Sequence, residues 1–220
     1  MVKMISTCLQ LAKGMPRLFF SEFLGTALMV GLGCGSVYYG ASHEWISFTF
    51  AAAVTLAILL FGNISGAHIN PAVSIAFWRE GRLDNHQLLS YICAQLTGAL
   101  AAAIVLGGAG PTAVDPEVTL LQAFTIEVTI TMILMFSILF ILRSEPSVPI
   151  LALWVGATVG ILAYFAGLAT GASMNPARTF GPNVVSGMWA SLLFYSTSTV
   201  LGAWIACDLN RLTTQKNEQN

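Results

Sequence analysis

The sequence predicts an all-α membrane protein in which six transmembrane helices and two re-entrant half-helices form an inverted repeat. Three observations predict it. Charged residues make up 9% of the 220 positions while 56% are hydrophobic, with a mean hydropathy of +0.77. Soluble domains carry about 25% charged and about 45–50% apolar residues, so a surface this poor in charge has to face lipid. The chain also matches itself at a fixed offset of 105 positions. Each copy, finally, contains a short apolar segment opened by Asn-Pro-Ala that is too brief to cross a bilayer. The net charge of −1 points to no nucleic acid and no acidic partner.

Residues 1–17 are expected to form a cytoplasmic lead. Its stretch 4–12, between Lys3 and Lys13, is too short to span, and no small-residue cleavage site closes it. Six apolar spans follow at 18–39, 46–61, 87–106, 119–142, 148–166 and 189–207. They are read as crossing about 30 Å of hydrocarbon at about 1.5 Å per residue. A single domain therefore covers 18–207, with halves of about 18–107 and 119–207, and a cytoplasmic tail occupies 208–220. The polar end of that tail, 213–220, is expected to be disordered.

Basic residues set the orientation. Lys3, Lys13 and Arg17 precede the first span, Arg79 and Arg82 lie between the second and third, Arg143 between the fourth and fifth, and Arg211 and Lys216 after the sixth. The opposite loops, around His43–Glu44 and Asp115–Glu117, contain no Lys or Arg. Both termini are thus expected in the cytoplasm, in a plasma or inner membrane. The remaining cation, Arg178, falls in the short segment at membrane depth. An arginine there costs roughly 2.5–3.5 kcal/mol on insertion scales and normally faces a watery cavity.

The repeat pairs Glu22 with Glu127, Thr26 with Thr131, Gly62 with Gly167 and Gly66 with Gly171. It also lays Asn70-Pro71-Ala72 on Asn175-Pro176-Ala177, all without a slip. Each unit holds three spans, an odd number, so the second half enters from the opposite side and functional elements converge at the midplane. In Gly66-Ala67-His68-Ile69-Asn70-Pro71-Ala72 and Gly171-Ala172-Ser173-Met174-Asn175-Pro176-Ala177, Asn is a favoured N-cap and Pro a favoured first helical residue. Each reads as a loop, a cap and a helix of about ten residues, roughly 15 Å long. Two such half-helices meet N-terminus to N-terminus, where non-helical backbone is tolerated only against protein or water. Glu22 and Glu127 fit a shared role as acceptors for the backbone N–H groups of these loops, with proton relay as the alternative.

Facing helix N-termini put about half a positive charge each at the centre. Asn70 and Asn175 add side-chain donors for a passing oxygen. An oxygen that accepts from both cannot also accept a proton from its neighbour, so a water wire is interrupted. Half-helix dipoles and an arginine exclude protons and cations from such pores. The chemistry is passive conduction of neutral solutes, with no catalytic step and no cofactor or metal.

These residues resemble those of the aquaporin (major intrinsic protein) family, whose hallmark is two Asn-Pro-Ala boxes in inverted halves, and the likeness covers about 18–207. The resemblance implies a pore in each protomer, a homotetramer in the lipid bilayer, and water and small neutral solutes as the permeants. It also implies a selectivity filter on the extracellular side. Counting 20 residues back from Asn70 gives Phe50; counting 12 and three back from Asn175 gives Ala163 and Ala172, and Arg178 completes the four. A slip of one residue replaces Ala163 by Leu162 or Tyr164. Strict water channels usually carry His where Ala163 stands, and glycerol facilitators usually Trp for Phe50 with a small residue at the Ala163 position. Two methyl groups predict a wider, less polar filter. The boxes look most like the nodulin-26-like branch and its bacterial relatives, which implies glycerol and neutral metalloid hydroxides as solutes. Thr179 departs from the Asp that often follows the arginine in glycerol facilitators, and the 107–118 loop is short.

A strict water-selective channel is the alternative reading and an ion-coupled secondary transporter a remote one, since inverted repeats with broken helices serve transporters too. His68 is expected to line the cytoplasmic vestibule or to bond loop backbone, with a pH gate as the sharper alternative. His43 and His86 fall in predicted loops. Cys8, Cys34, Cys93 and Cys207 match no zinc or redox spacing, and the last three sit in apolar runs as small hydrophobes. Trp45, Trp189 and Trp204 suit an interfacial belt, and Gly25, Gly98, Ala102 and Gly202 suit close helix contact.

Overall fold

The computed structural model describes residues 2–218, with side chains described for residues 15–214. In chain order it comprises α1 (Val2–Tyr38), α2 (His43–Ser65), the half-helix α3 (Pro71–Arg79), α4 (Asn85–Val105), α5 (Leu120–Ile141), α6 (Val148–Thr170), the half-helix α7 (Pro176–Val185) and α8 (Ser191–Glu218). Six helices are long and apolar enough to cross a membrane: Met15–Tyr38, His43–Ser65, Asn85–Val105, Leu120–Ser144, Val148–Thr170 and Ser191–Thr214. Their outer faces expose Phe20, Leu24, Ile104, Leu121, Leu153, Ile161, Phe165 and Leu193, a belt that water would not tolerate over so wide an area. Trp45 and Trp189 are exposed near helix ends, whereas Trp204 lies deeper in α8 beneath the Arg79 guanidinium, 4.1 Å from its ring centre.

Local chemistry fixes the boundaries. α2 and α6 both stop at a left-handed glycine, Gly66 (φ 84°) and Gly171 (φ 73°), whose N–H groups return to Gly62 and Gly167 O. Only a residue without Cβ adopts that conformation freely. α4 and α5 open with reciprocal capping boxes, Asp84 with Gln87 and Thr119 with Gln122.

Three sequence expectations are corrected here. His43 is the first residue of α2 and His86 the second of α4, because Ser42 and Asp84 start those helices earlier than the apolar pattern does. The sixth span does not end at Cys207: α8 continues to Glu218, and part of the tail expected to be disordered is helical. Arg143 donates to Asn210 Oδ1 (2.6 Å) and Thr213 Oγ1 (2.6 Å), while Arg211 pairs with Glu80 (3.1 Å), so that end is held to the face carrying the termini. The lead is likewise part of α1, although side chains before residue 15, Cys8 among them, and residues 219–220 of the tail lie outside the described residues. The repeat, finally, does slip once. Tyr91 and Tyr195 occupy equivalent places 104 apart, each donating its hydroxyl (2.7 Å) to the carbonyl that ends the preceding long helix, Ser65 O and Thr170 O. Tyr195 follows Pro176 by 19 positions, whereas Tyr91 follows Pro71 by 20.

The halves pack through equivalent glycines. A Cβ at Gly98 of α4 would fall 2.3 Å from Phe23 O of α1, and one at Gly202 of α8 would fall 2.4 Å from Val128 O of α5. Gly156 and Gly160 of α6 admit Ala51 and Thr55 of α2 in the same manner. With no hydrophobic effect between helices in lipid, such backbone approach is what holds them. The two half-helices fill the space between these pairs, α7 against α4 through Gly181 on Ala99 O.

Candidate functional site

The loops before the half-helices have the same strained backbone. Ala67 and Ile69 have φ of 47° and 44°, and Ala172 and Met174 have 41° and 51°. Left-handed backbone is costly for residues with Cβ and persists only where surroundings impose it. Here the fully buried carboxylates impose it. Glu22 of α1 accepts from Ser65 Oγ (2.6 Å), His68 N (2.9 Å), Ile69 N (2.7 Å) and Gln95 Nε2 (2.8 Å). Glu127 of α5 accepts from Thr170 Oγ1 (2.6 Å), Ser173 N (2.9 Å) and Met174 N (3.1 Å).

Each loop delivers an asparagine to the junction. Asn70 Oδ1 caps α3 through Ala72 N (2.9 Å), and Asn175 Oδ1 caps α7 through Ala177 N (2.9 Å) and Arg178 N (3.3 Å). Pro71 and Pro176 occupy the first helical turns, followed by Ala72 and Ala177, both fully buried. The amide nitrogens cross over: Asn70 Nδ2 donates to Met174 O and Asn175 Nδ2 to Ile69 O, both at 2.8 Å. This refines the sequence expectation. One of the two hydrogens on each amide clasps the opposite loop. The second on Asn70 has no protein acceptor among the described residues, while Asn175 Nδ2 also lies 3.7 Å from Met29 Sδ, a weak acceptor that a passing oxygen can displace.

A cavity of about 450 Å³ runs past this clasp, from His43 at one mouth to Arg82 at the other. Phe50, Ala163, Ala172 and Arg178 all line it on the His43 side, whereas Leu162 and Tyr164, the neighbours of Ala163, do not. The buried Arg178 guanidinium lies 4.8 Å from the centre of the Phe50 ring and donates to Gly110 O (2.6 Å), with Cys34 Sγ at 3.5 Å. Among the described residues no carboxylate pairs with it. Gly33 makes room for the aromatic wall, since a Cβ there would fall within 2.2 Å of the Phe50 ring. On the other side His68 lines the cavity, its Nδ1 paired with Ser74 Oγ (3.1 Å) and its ring 4.4 Å from that of Phe77. The His68 side chain thus bonds a side chain rather than loop backbone, while its backbone N–H donates directly to Glu22.

Sequence reasoning missed the residues that hold these groups. Asn183 of α7 accepts from Thr112 N (2.9 Å) and donates to Thr112 O (2.8 Å), which fixes the α4–α5 connection and with it the Gly110 carbonyl. A buried Asn in an apolar half-helix was the available signal. Gln95, bonded to both Glu22 and Ser74 (2.9 Å), is a comparable polar residue inside a span.

A cavity lined by polar loop backbone, crossing a six-span bundle between two facing helix N-termini, defines a membrane channel. The family description "Major intrinsic protein" matches residues 11–209. Aquaporin NIP1-2 of Oryza sativa subsp. japonica is 36% identical over 219 residues, covering 89% of this chain and 72% of that one. The glycerol uptake facilitator protein of Escherichia coli (strain K12) is 34% identical over 212 residues, covering 79% and 75%. The X-ray structure of the aquaglyceroporin from Plasmodium falciparum superposes with a TM-score of 0.84 at 23% identity, over 94% of this chain and all of that one. The chain therefore belongs to the major intrinsic protein family: it is an integral membrane channel for water and small solutes, and not an enzyme.

Proposed function

We propose that this channel conducts glycerol and similar small neutral solutes, including neutral metalloid hydroxides, together with water, and excludes protons and ions. The reading rests on one observation: of the four filter positions Phe50, Ala163, Ala172 and Arg178, all of which line the cavity, two are alanines. Phe50 supplies an apolar wall and Arg178 a fixed cation with donors for a hydroxyl. An imidazole in place of either methyl would narrow the ring and add a competing polar group. Kinship with a glycerol uptake facilitator supports the same assignment.

In this reading Asn70, Pro71 and Ala72 with Asn175, Pro176 and Ala177 form the central barrier. The N-termini of α3 and α7 set a positive field there. Glu22 and Glu127 act as loop anchors, and His68 lines the cytoplasmic vestibule. The face carrying Arg79, Arg82, Arg143 and Arg211 is the cytoplasmic one of a plasma or inner membrane, so the His43 mouth is extracellular. The protomers assemble as a homotetramer, which the mass of the detergent-extracted particle tests. Stopped-flow light scattering on proteoliposomes tests the solute assignment. Glycerol and boric acid are expected to enter along with water; passage of water alone would overturn the wide filter in favour of a strict water channel. Uphill accumulation driven by a proton or sodium gradient would overturn the channel mechanism itself.

A further inference from the structure

We propose that His43 forms a second, outer selectivity tier, supplying from α2 an imidazole that occupies the lumen just outside the filter. Four observations carry it. His43 lines the same cavity as Phe50, Ala163 and Arg178. It stands seven residues before Phe50, two turns along one face of α2, with Ser47 between them also on the cavity and donating to His43 O (2.9 Å). Its Nε2–H donates to Tyr164 O across the mouth (2.7 Å), the carbonyl one residue beyond Ala163, and its ring stacks on Tyr164 with 5.5 Å between centres. Gly167, also on the cavity, is one turn outward of Ala163, about 6 Å along α6, and a Cβ there would fall 2.7 Å from His43 Cε1.

The imidazole therefore fills space that a side chain at position 167 would take, above the gap left by Ala163. A solute approaching Arg178 from this mouth passes a planar polar group held at both ends, by its own helix and by the Tyr164 carbonyl. With Nε2 committed to that carbonyl, Nδ1 of the neutral ring is an acceptor. The tier thus selects for short hydroxylated solutes and sets an upper size that the alanines alone would not. The inference rests on this cavity being the conducting path. It differs from a tie between α2 and α6 alone, which would affect assembly but not the choice of solute.

The test is stopped-flow permeability of His43→Ala, His43→Gln and Gly167→Ala channels in proteoliposomes, normalised to reconstituted protein. Water, glycerol and the four-carbon polyol erythritol serve as probes. His43→Ala is expected to raise the erythritol-to-water and glycerol-to-water ratios several-fold, and His43→Gln, which keeps a donor for Tyr164 O, to restore most of the discrimination. Gly167→Ala is expected to push the imidazole inward and lower the solute ratios, and His43→Ala in the same chain is expected to relieve that loss, a coupling that separate effects would not give. Equal solute ratios in wild type and His43→Ala, or parallel loss of all three permeabilities, would overturn the proposal. A wild type that excludes glycerol would overturn the wide-filter reading, and the His43 tier would then be judged by whether His43→Ala admits it.

Discussion

Replacing Glu22 or Glu127 by Gln should destabilise the channel by a similar amount, and the geometry gives its size. Each Glu22 oxygen serves two donors: Ser65 Oγ and His68 N at Oε1, Ile69 N and Gln95 Nε2 at Oε2. A glutamine has one acceptor oxygen; with its NH₂ on the Oε1 side, the Ser65 hydroxyl can accept from it and donate to Ser21 Oγ (3.0 Å), so His68 N alone loses its partner. A buried donor without a partner costs about 1–3 kcal/mol, so Glu22→Gln loses about that much. At Glu127, Oε2 serves only Met174 N, so the amide can likewise be oriented to leave one orphan, about 1–3 kcal/mol. The loss falls on a loop that already holds Ala67 and Ile69 at positive φ, and relaxation there would move Asn70 and its clasp on Met174 O. Thermal denaturation of the purified protein in detergent and water permeability per reconstituted channel are the assays. Glu22→Gln and Glu127→Gln are each expected to lower both. Wild-type melting and flux in either variant would refute the anchoring argument.

Two further outcomes follow from the contacts. Ala163→His should leave water flux largely intact and cut glycerol flux, as read by stopped-flow swelling; unchanged glycerol flux would mean that position 163 does not set the solute size. Gly98→Val places a branched side chain where even a Cβ would fall 2.3 Å from Phe23 O. Overpacking of this kind costs about 1–3 kcal/mol or more, so α1 and α4 should separate, with a lower melting temperature in detergent and the same result for Gly202→Val.

Most of the fold was legible because its main elements are periodic or duplicated. The six spans and both half-helices follow from apolar length, the offset and Asn-Pro-Ala, and Ala163 was reached by counting through a helix whose repeat equivalent, α2, ends at the matching glycine. What was missed depends on contacts between segments far apart in sequence. The commitment of one amide hydrogen of Asn70 to Met174 O, 104 residues away, requires the halves to be docked first. Arg178 finds its acceptor in a connection with no sequence motif, Gly110, which is placed by Asn183. The starts of α2 and α4 were a different kind of miss. Asp84-Asn85-His86-Gln87 carries a capping-box pattern, but polar first turns were hidden by a criterion that asked only for apolar length.

Where the duplication fails is as informative as where it holds. The anchors and caps recur in both halves, but the repeat counterparts of Phe50, Ala163 and Arg178 are Val155, Ile58 and Val73, and all three line the same cavity. The duplicated unit therefore builds the scaffold twice and the proposed filter once. The reason Arg178 has no cationic counterpart at Val73 lies in the α4–α5 connection, which joins the halves and so occurs only once. Its Gly110 carbonyl and the nearby Cys34 receive Arg178, and nothing in the repeat offers Val73 the same support. An arginine near the membrane centre costs roughly 2.5–3.5 kcal/mol on insertion scales unless it is received by water or acceptors. Val73→Arg should accordingly lower melting temperature and water permeability together, while Val73→Met, of similar reach but uncharged, should be tolerated. A Val73→Arg channel that melts and conducts like wild type would mean that the carbonyl at Gly110 is not what makes a buried arginine admissible in this pore.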